Sequence, residues 1–221
     1  MLYLYAITDS AWLPDVPGLD GAPLSLTGGN GLSAVWSEHD QPRLEADEAA
    51  LWEHERVVET LLEQGAVLPM RFGSWLRDQA GVLELLAERR DEFELGLERV
   101  RGAVELGVRA MMRNPSHERA LAVSGTSRPG TDYMLARLNE EKKSAAIAAY
   151  IHEPLVALSR ASTPRRTSLT GSVNTAYLVD RDDIAAFRET VEKLDTTVEE
   201  ATVVCTGPWP PYSFTPENST Q

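Results

Sequence analysis

The stretch Val104-Glu105-Leu106-Gly107-Val108-Arg109-Ala110-Met111-Met112 sets Val104, Leu106, Val108, Ala110 and Met112 on one face of an extended chain and Glu105, Gly107, Arg109 and Met111 on the other. A period of two is the mark of a half-buried strand, because successive Cβ atoms of a strand point to opposite faces. Residues 113–130 then read as a loop, and a long helix follows over roughly 131–159. Leu135, Leu138, Ala145, Ala149, Ile151 and Leu155 are expected on its buried side, and Pro154 should kink or end it. Arg166 to Leu169 and Val173 to Val179 are expected to pair as a hairpin across Gly171. Asp180 can cap a helix whose apolar stripe is Ile184, Phe187, Val191 and Leu194, and Val198 to Thr206 closes as a final strand. The order β-α-β-β-α-β over 101–206 is the ferredoxin-like arrangement, an antiparallel sheet with both helices on one face.

Upstream, the uncharged run Leu2 to Thr8 reads as a strand buried on both faces. Pro14 to Gly31 is rich in proline and glycine and reads as loop, and Leu32 to Ser37 as a second strand. Asp47 is a plausible N-cap for a helix carrying Leu51, Val58, Leu61 and Leu62, which Gly65 should stop in a C′ role. Ala66 to Phe72 predicts a short buried strand, and a helix from about Asp78 carries Val82, Leu86, Phe93 and Leu97 inward. The fold class is therefore α+β in two domains: residues 1–100, a mixed α+β unit of order β-β-α-β-α, and the ferredoxin-like domain at 101–206.

Residues 207–221 form a third part. Thr206-Gly207-Pro208-Trp209-Pro210-Pro211-Tyr212-Ser213-Phe214 holds three prolines and three aromatics. Proline fixes φ and has no N–H, so the run cannot continue the last strand as a central member of the sheet and should leave as a stiff extended arm. Trp209, Tyr212 and Phe214 are expected to pack outside the ferredoxin-like unit, either as a clamp on the protein's own surface or as an anchor for a partner. A second candidate lies in Val67-Leu68-Pro69-Met70-Arg71-Phe72-Gly73, where Arg71 interrupts an apolar run. It calls for an acid of the Trp52 to Glu63 helix, or else for a ligand.

The net charge of −13 is uneven: the first hundred residues hold 19 acids and 7 arginines. An acidic surface of that kind argues against nucleic acid and points to solubility, or else to a partner with complementary basic groups. No apolar run is long enough for a membrane span and the N-terminus lacks the basic region of a signal peptide, which points to the cytoplasm. Cys205 is the sole cysteine, so no internal disulfide forms. No catalytic, cofactor or metal site is expected. Gly125 to Thr131 has the glycine spacing of a phosphate-binding loop but puts Thr131 where lysine is required, and Pro129 removes an N–H from the cradle. His54-Glu55 is followed by Val58 where a zinc pair needs its second histidine, and His39, His54, His117 and His152 show no ligand spacing. Ser124 and Ser127 lack a nucleophile-elbow pattern, and Gly28-Gly29-Asn30-Gly31 is a turn.

Three stretches in this order resemble the gas vesicle protein GvpL/GvpF family: Leu2-Tyr3-Leu4-Tyr5-Ala6-Ile7, Val67 to Gly73, and Thr206 to Phe214. Val104 to Val108 and Asn174 to Val179 also look like its strands, and Ser74 stands where the family's middle motif would have threonine. The resemblance implies a non-enzymatic accessory protein of gas vesicle assembly, cytoplasmic and associated with the vesicle. Its partners would be the shell protein GvpA and other accessory Gvp proteins, with the chain itself a monomer or weak oligomer. Arg71, Phe72, Trp209, Tyr212 and Phe214 are the candidate interaction or clamping residues. The alternative is a ferredoxin-like regulatory protein that binds a small molecule, with Arg71 as anion anchor.

Overall fold

A computed structural model describes residues 1–42, 47–113, 129–165 and 172–216. The chain divides into two compact units, Met1–Glu105 together with the residues from Pro208 onward, and Leu106–Gly207. The first unit is built on β1 (Leu2–Thr8), every residue of which is buried. Its sheet is antiparallel in the order β2-β3-β1-β4, where β2 is Leu24–Gly29, β3 is Leu32–Glu38 and β4 is Val67–Pro69. A two-residue strand, β5 (Trp75–Leu76), pairs with the other end of β1.

β2 occupies part of the stretch expected to be loop. Its glycines obscure a hairpin whose turn, Asn30-Gly31, has both φ values positive (55° and 79°), the geometry that matches the twist of paired strands. Gly28 belongs to the same device: at φ 148° a Cβ would lie 2.3 Å from the Leu32 carbonyl oxygen.

Helix α1 (Glu48–Gln64) starts where the sequence places its cap, with the Asp47 carboxylate accepting from the Ala50 N–H at 2.8 Å. It ends at Gly65, whose φ of −176° is ordinary extended backbone and not a left-handed cap. The single helix expected from Asp78 is two: α2 (Gln79–Glu88), capped by Asp78, and α3 (Arg90–Val100), parted at Arg89. Val82, Leu86, Phe93 and Leu97 are all buried as expected. α1 packs on β1 and β4, while α2 and α3 cover β2, β3 and β4.

The second sheet runs β7-β8-β6-β9, with β6 at Ala103–Met112, β7 at Ala161–Arg165, β8 at Ser172–Asp180 and β9 at Ala201–Trp209. With α4 (Pro129–Val156) between β6 and β7, and α5 (Ile184–Thr197) between β8 and β9, this is the ferredoxin-like order. The strand paired with β8 lies earlier than expected, at Ala161–Arg165, while the expected strand Arg166 to Leu169 and its Gly171 turn fall outside the described residues. Asp180 does not cap α5. A 3-10 turn at Arg181–Asp183 intervenes and the Asp180 carboxylate pairs with Arg160.

Phe187, Val191, Leu194, Ile151, Leu155, Leu106, Val108, Tyr177 and Val179 share one core. Pro154 stands in the last turn of α4, which ends at Val156. Of the residues expected on the inner side of α4, Ile151 and Leu155 are buried, Leu138, Ala145 and Ala149 are exposed, and nothing is described for the Leu135 side chain. An alanine-rich helix carries two apolar stripes, and only one of them can face a sheet.

Candidate functional site

Tyr3 and Tyr5 bring β1 against α1 at His54. The buried imidazole lies between two partners, with Nδ1 2.9 Å from the Tyr3 hydroxyl and Nε2 3.1 Å from the Met70 carbonyl. A carbonyl only accepts, so Nε2 carries the proton and Nδ1 accepts from Tyr3. Both nitrogens are satisfied in the neutral ring, and burial holds the His54 pKa down at about 4. Around it stand Tyr5, stacked at 5.6 Å between ring centroids, Phe72 at 6.0 Å, and Trp75 at 4.9 Å from Tyr3. Burial raises both tyrosine pKa values, and the Tyr5 hydroxyl also accepts the Leu19 N–H at 2.6 Å.

The segment between β4 and β5 wraps this centre. Met70 N–H donates to the Tyr5 carbonyl and Leu4 N–H to the Ser74 carbonyl, so residues 70–74 leave β1 and rejoin it. Strand β4 therefore ends at Pro69, short of the expected Phe72. Phe72 turns inward, with its ring 5.8 Å from Tyr3. Gly73 holds φ 86° and its N–H reaches the Tyr3 hydroxyl at 3.4 Å. Arg71 falls on the outside of the turn. It is exposed and forms no ion pair among the described residues, so the expected bridge to α1 is not made.

The terminal run also differs from the expectation of an arm starting at residue 207. β9 continues through Gly207 and Pro208 to Trp209, which a border strand tolerates. The chain then turns in, burying Pro210 and Pro211, and Tyr212–Phe214 makes one 3-10 turn. Two carboxylates hold that turn. The Tyr212 hydroxyl donates to Glu55 of α1 at 2.8 Å, and Ser213 donates to Glu105 through its N–H at 2.8 Å and its hydroxyl at 2.9 Å.

Glu105 is fully buried, so its carboxyl oxygens need hydrogen-bond partners, and Ser213 supplies two such bonds. Desolvation raises the pKa of Glu55, and burial beside Glu55 raises that of Tyr212. Phe214 is 4% exposed, under the Arg99 guanidinium at 5.5 Å. A Cβ at Gly96 of α3 would stand 3.0 Å from Leu68 and 3.4 Å from Pro216, so a side chain there would have to push these neighbours aside. Trp209, by contrast, is 38% exposed. Glu105→Ala is expected to cost about 2 to 3 kcal/mol in urea unfolding, because the Ser213 N–H loses its acceptor. Glu105→Gln should cost about half as much, since one carbonyl oxygen remains.

Of the five residues marked in the sequence, the structure gathers Phe72, Tyr212 and Phe214 in the first unit's interior and leaves Arg71 and Trp209 outward. It adds Tyr3, Tyr5, His54, Glu55 and Glu105. His54 could have been found, since it sits on the inward stripe Ala50, His54, Val57, Val58, Leu61. Glu105 carried no such signal, because alternation assigns it to the polar face of β6.

The second unit contains a groove of about 280 Å³ lined by Val108, Ile151, Pro164, Val173 and the pair His152–Tyr177, whose Nδ1 and hydroxyl are 2.7 Å apart. Arg71 does not line it. Among the described residues no group of three His, Cys, Asp or Glu is placed to hold a metal, and no helix is long and apolar enough to cross a membrane.

Residues 1–216 match the family described as gas vesicle synthesis protein GvpL/GvpF. Gas vesicle protein L of Streptomyces sp. (strain CB03234) is 31% identical, over 96% of this chain and 91% of the relative. Gas vesicle protein F2 of Halobacterium salinarum is 30% identical over the same shares. The crystal structure of GvpF from Anabaena sp. PCC7120 superposes with a TM-score of 0.85 at 21% identity, covering 100% of this chain and 98% of that one. GvpF from Microcystis aeruginosa gives 0.79 at 20% identity, over 96% and 98%.

Proposed function

The chain belongs to the GvpL/GvpF family of gas vesicle synthesis proteins, and from that membership we propose that it is a non-enzymatic accessory protein that binds the shell protein GvpA and other Gvp proteins during vesicle assembly. It works in the cytoplasm, in association with the vesicle. It covers apolar surfaces of GvpA that would otherwise self-associate, and releases the subunit to the growing wall.

The observation that carries this reading is the extent of the match. Residues 1–216 include both units and the latched terminal turn, so the likeness is not that of one shared module. Two further features support it. The acidic first hundred residues keep a complex with an apolar client in solution. The outward stripe of α4, with Met134 72% and Leu138 47% exposed, offers apolar surface of the kind that partners cover. In this scheme Phe72, Tyr212 and Phe214 clamp the first unit, while Arg71 and Trp209 remain available to a partner.

Co-expression with GvpA followed by affinity capture tests the proposal. GvpA is expected in the soluble fraction and in the eluate. Failure to retain GvpA or any other vesicle protein would overturn it.

A further inference from the structure

Strand β9 borders the second sheet, and its nine residues, Ala201 to Trp209, include no charged side chain. Sheet borders are ordinarily blunted by lysines, by inward charges or by shortness. Two side chains of α5 reveal which backbone groups of β9 face outward. The Val203 N–H donates to Asp195 Oδ1 at 2.8 Å, and Arg188 donates to the Gly207 carbonyl at 2.5 Å, so these groups are turned away from β6. Hydrogen-bonding direction alternates along an antiparallel strand, which places the N–H and C=O of Val203, Cys205 and Gly207 on the outer border.

Arg188 and Asp195 lie about two turns apart on α5 and engage the two ends of this row. The Cys205 groups lie between them. Pro208 falls at an inward-facing position and leaves the outer row uninterrupted. Val204 is 40% exposed, and Thr206, next on the same face of the strand, is exposed as well.

We infer that the outer border of β9, from Val203 to Gly207, takes an added strand from a partner, an extended and uncharged segment. The inference rests on the shell-protein reading above and names its contact. Between the Asp195 and Arg188 contacts the row presents the Val203 C=O, both Cys205 groups and the Gly207 N–H, a set that an extended main chain can pair with, and uncharged flanks give a charged segment nothing to pair with. A second copy of this chain is disfavoured as occupant, because it would bring together two molecules of net charge −13.

Two variants test the border. Val204→Lys puts a charge on its exposed flank, and Cys205→Pro removes an outward N–H without taking a bond from the β6 ladder. Each is co-expressed with GvpA and captured as above, with thermal unfolding to establish that it is folded. Wild type is expected to retain GvpA and the folded variants about tenfold less. If wild type retains GvpA and both folded variants retain it equally, strand addition is overturned and the shell-protein reading stands. If wild type retains none, both fall. A wild-type dimer in light scattering that Val204→Lys abolishes, with GvpA capture intact, would give the border to a second copy and overturn the inference. Should Cys205→Pro not fold, Val204→Lys decides alone.

Discussion

Replacing Phe214 by alanine is expected to lower stability by about 3 to 5 kcal/mol, whereas Trp209→Ala should cost less than about 1 kcal/mol. The two rings stand five residues apart in one aromatic run but differ in burial, 4% against 38% exposed. Truncating Phe214 loses the transfer free energy of a buried ring and leaves a cavity, and it also removes the face on which the Arg99 guanidinium rests. Trp209 loses only part of its contact area. Urea unfolding of the three proteins measures the difference as a shift in midpoint. Equal midpoints for Phe214→Ala and wild type would mean that the turned-in segment adds nothing to the fold. A Trp209→Ala protein of undiminished stability that no longer supports vesicle formation would make that ring a partner anchor.

The second large effect is a loss of stability in acid. His54 has an ordinary pKa of 6.5 and burial lowers it to about 4 in the folded protein. The unfolded chain therefore takes up this proton near pH 6.5 and the folded chain only near pH 4. The contribution is fully present above pH 6.5 and is lost as pH falls toward 4, amounting to about 3 kcal/mol over the window. Glu55 opposes it, because its raised pKa lets the folded state gain a proton early on acidification.

His54→Gln separates the two. One amide can donate to the Met70 carbonyl and accept from the Tyr3 hydroxyl, but it does not titrate. Stability measured between pH 7 and pH 4 should fall steeply for wild type and much less for His54→Gln. Parallel curves would remove His54 as the cause.

What could be read before the fold was known follows the range of the forces involved. The start of α1 was legible because an N-cap is a bond between neighbours, Asp47 and the Ala50 N–H. The inward residues of α2, α3 and α5 were legible because a single apolar stripe leaves one way to pack. The buried face of α4 is ambiguous in the sequence because that helix has two apolar stripes, and β2 is hidden because its hairpin glycines look like loop until the turn pairs two strands. At the candidate site, the aromatic residues of the terminal run were visible, but their division into the buried Phe214 and the exposed Trp209 was not.

The sequence by itself determined the class of the fold, the element order of the second unit and, through three ordered motifs, the family. All of these rest on periodicity, local caps and residue identity, which act over a few positions. Only the tertiary structure decided that Glu105, on what alternation makes the polar face of β6, is buried to receive Ser213 from 108 residues away. It likewise decided that Arg71 points outward and that His54 is locked between Tyr3 and Met70. A buried polar group is tolerable only where its partner arrives, and that partner comes from a distant part of the chain.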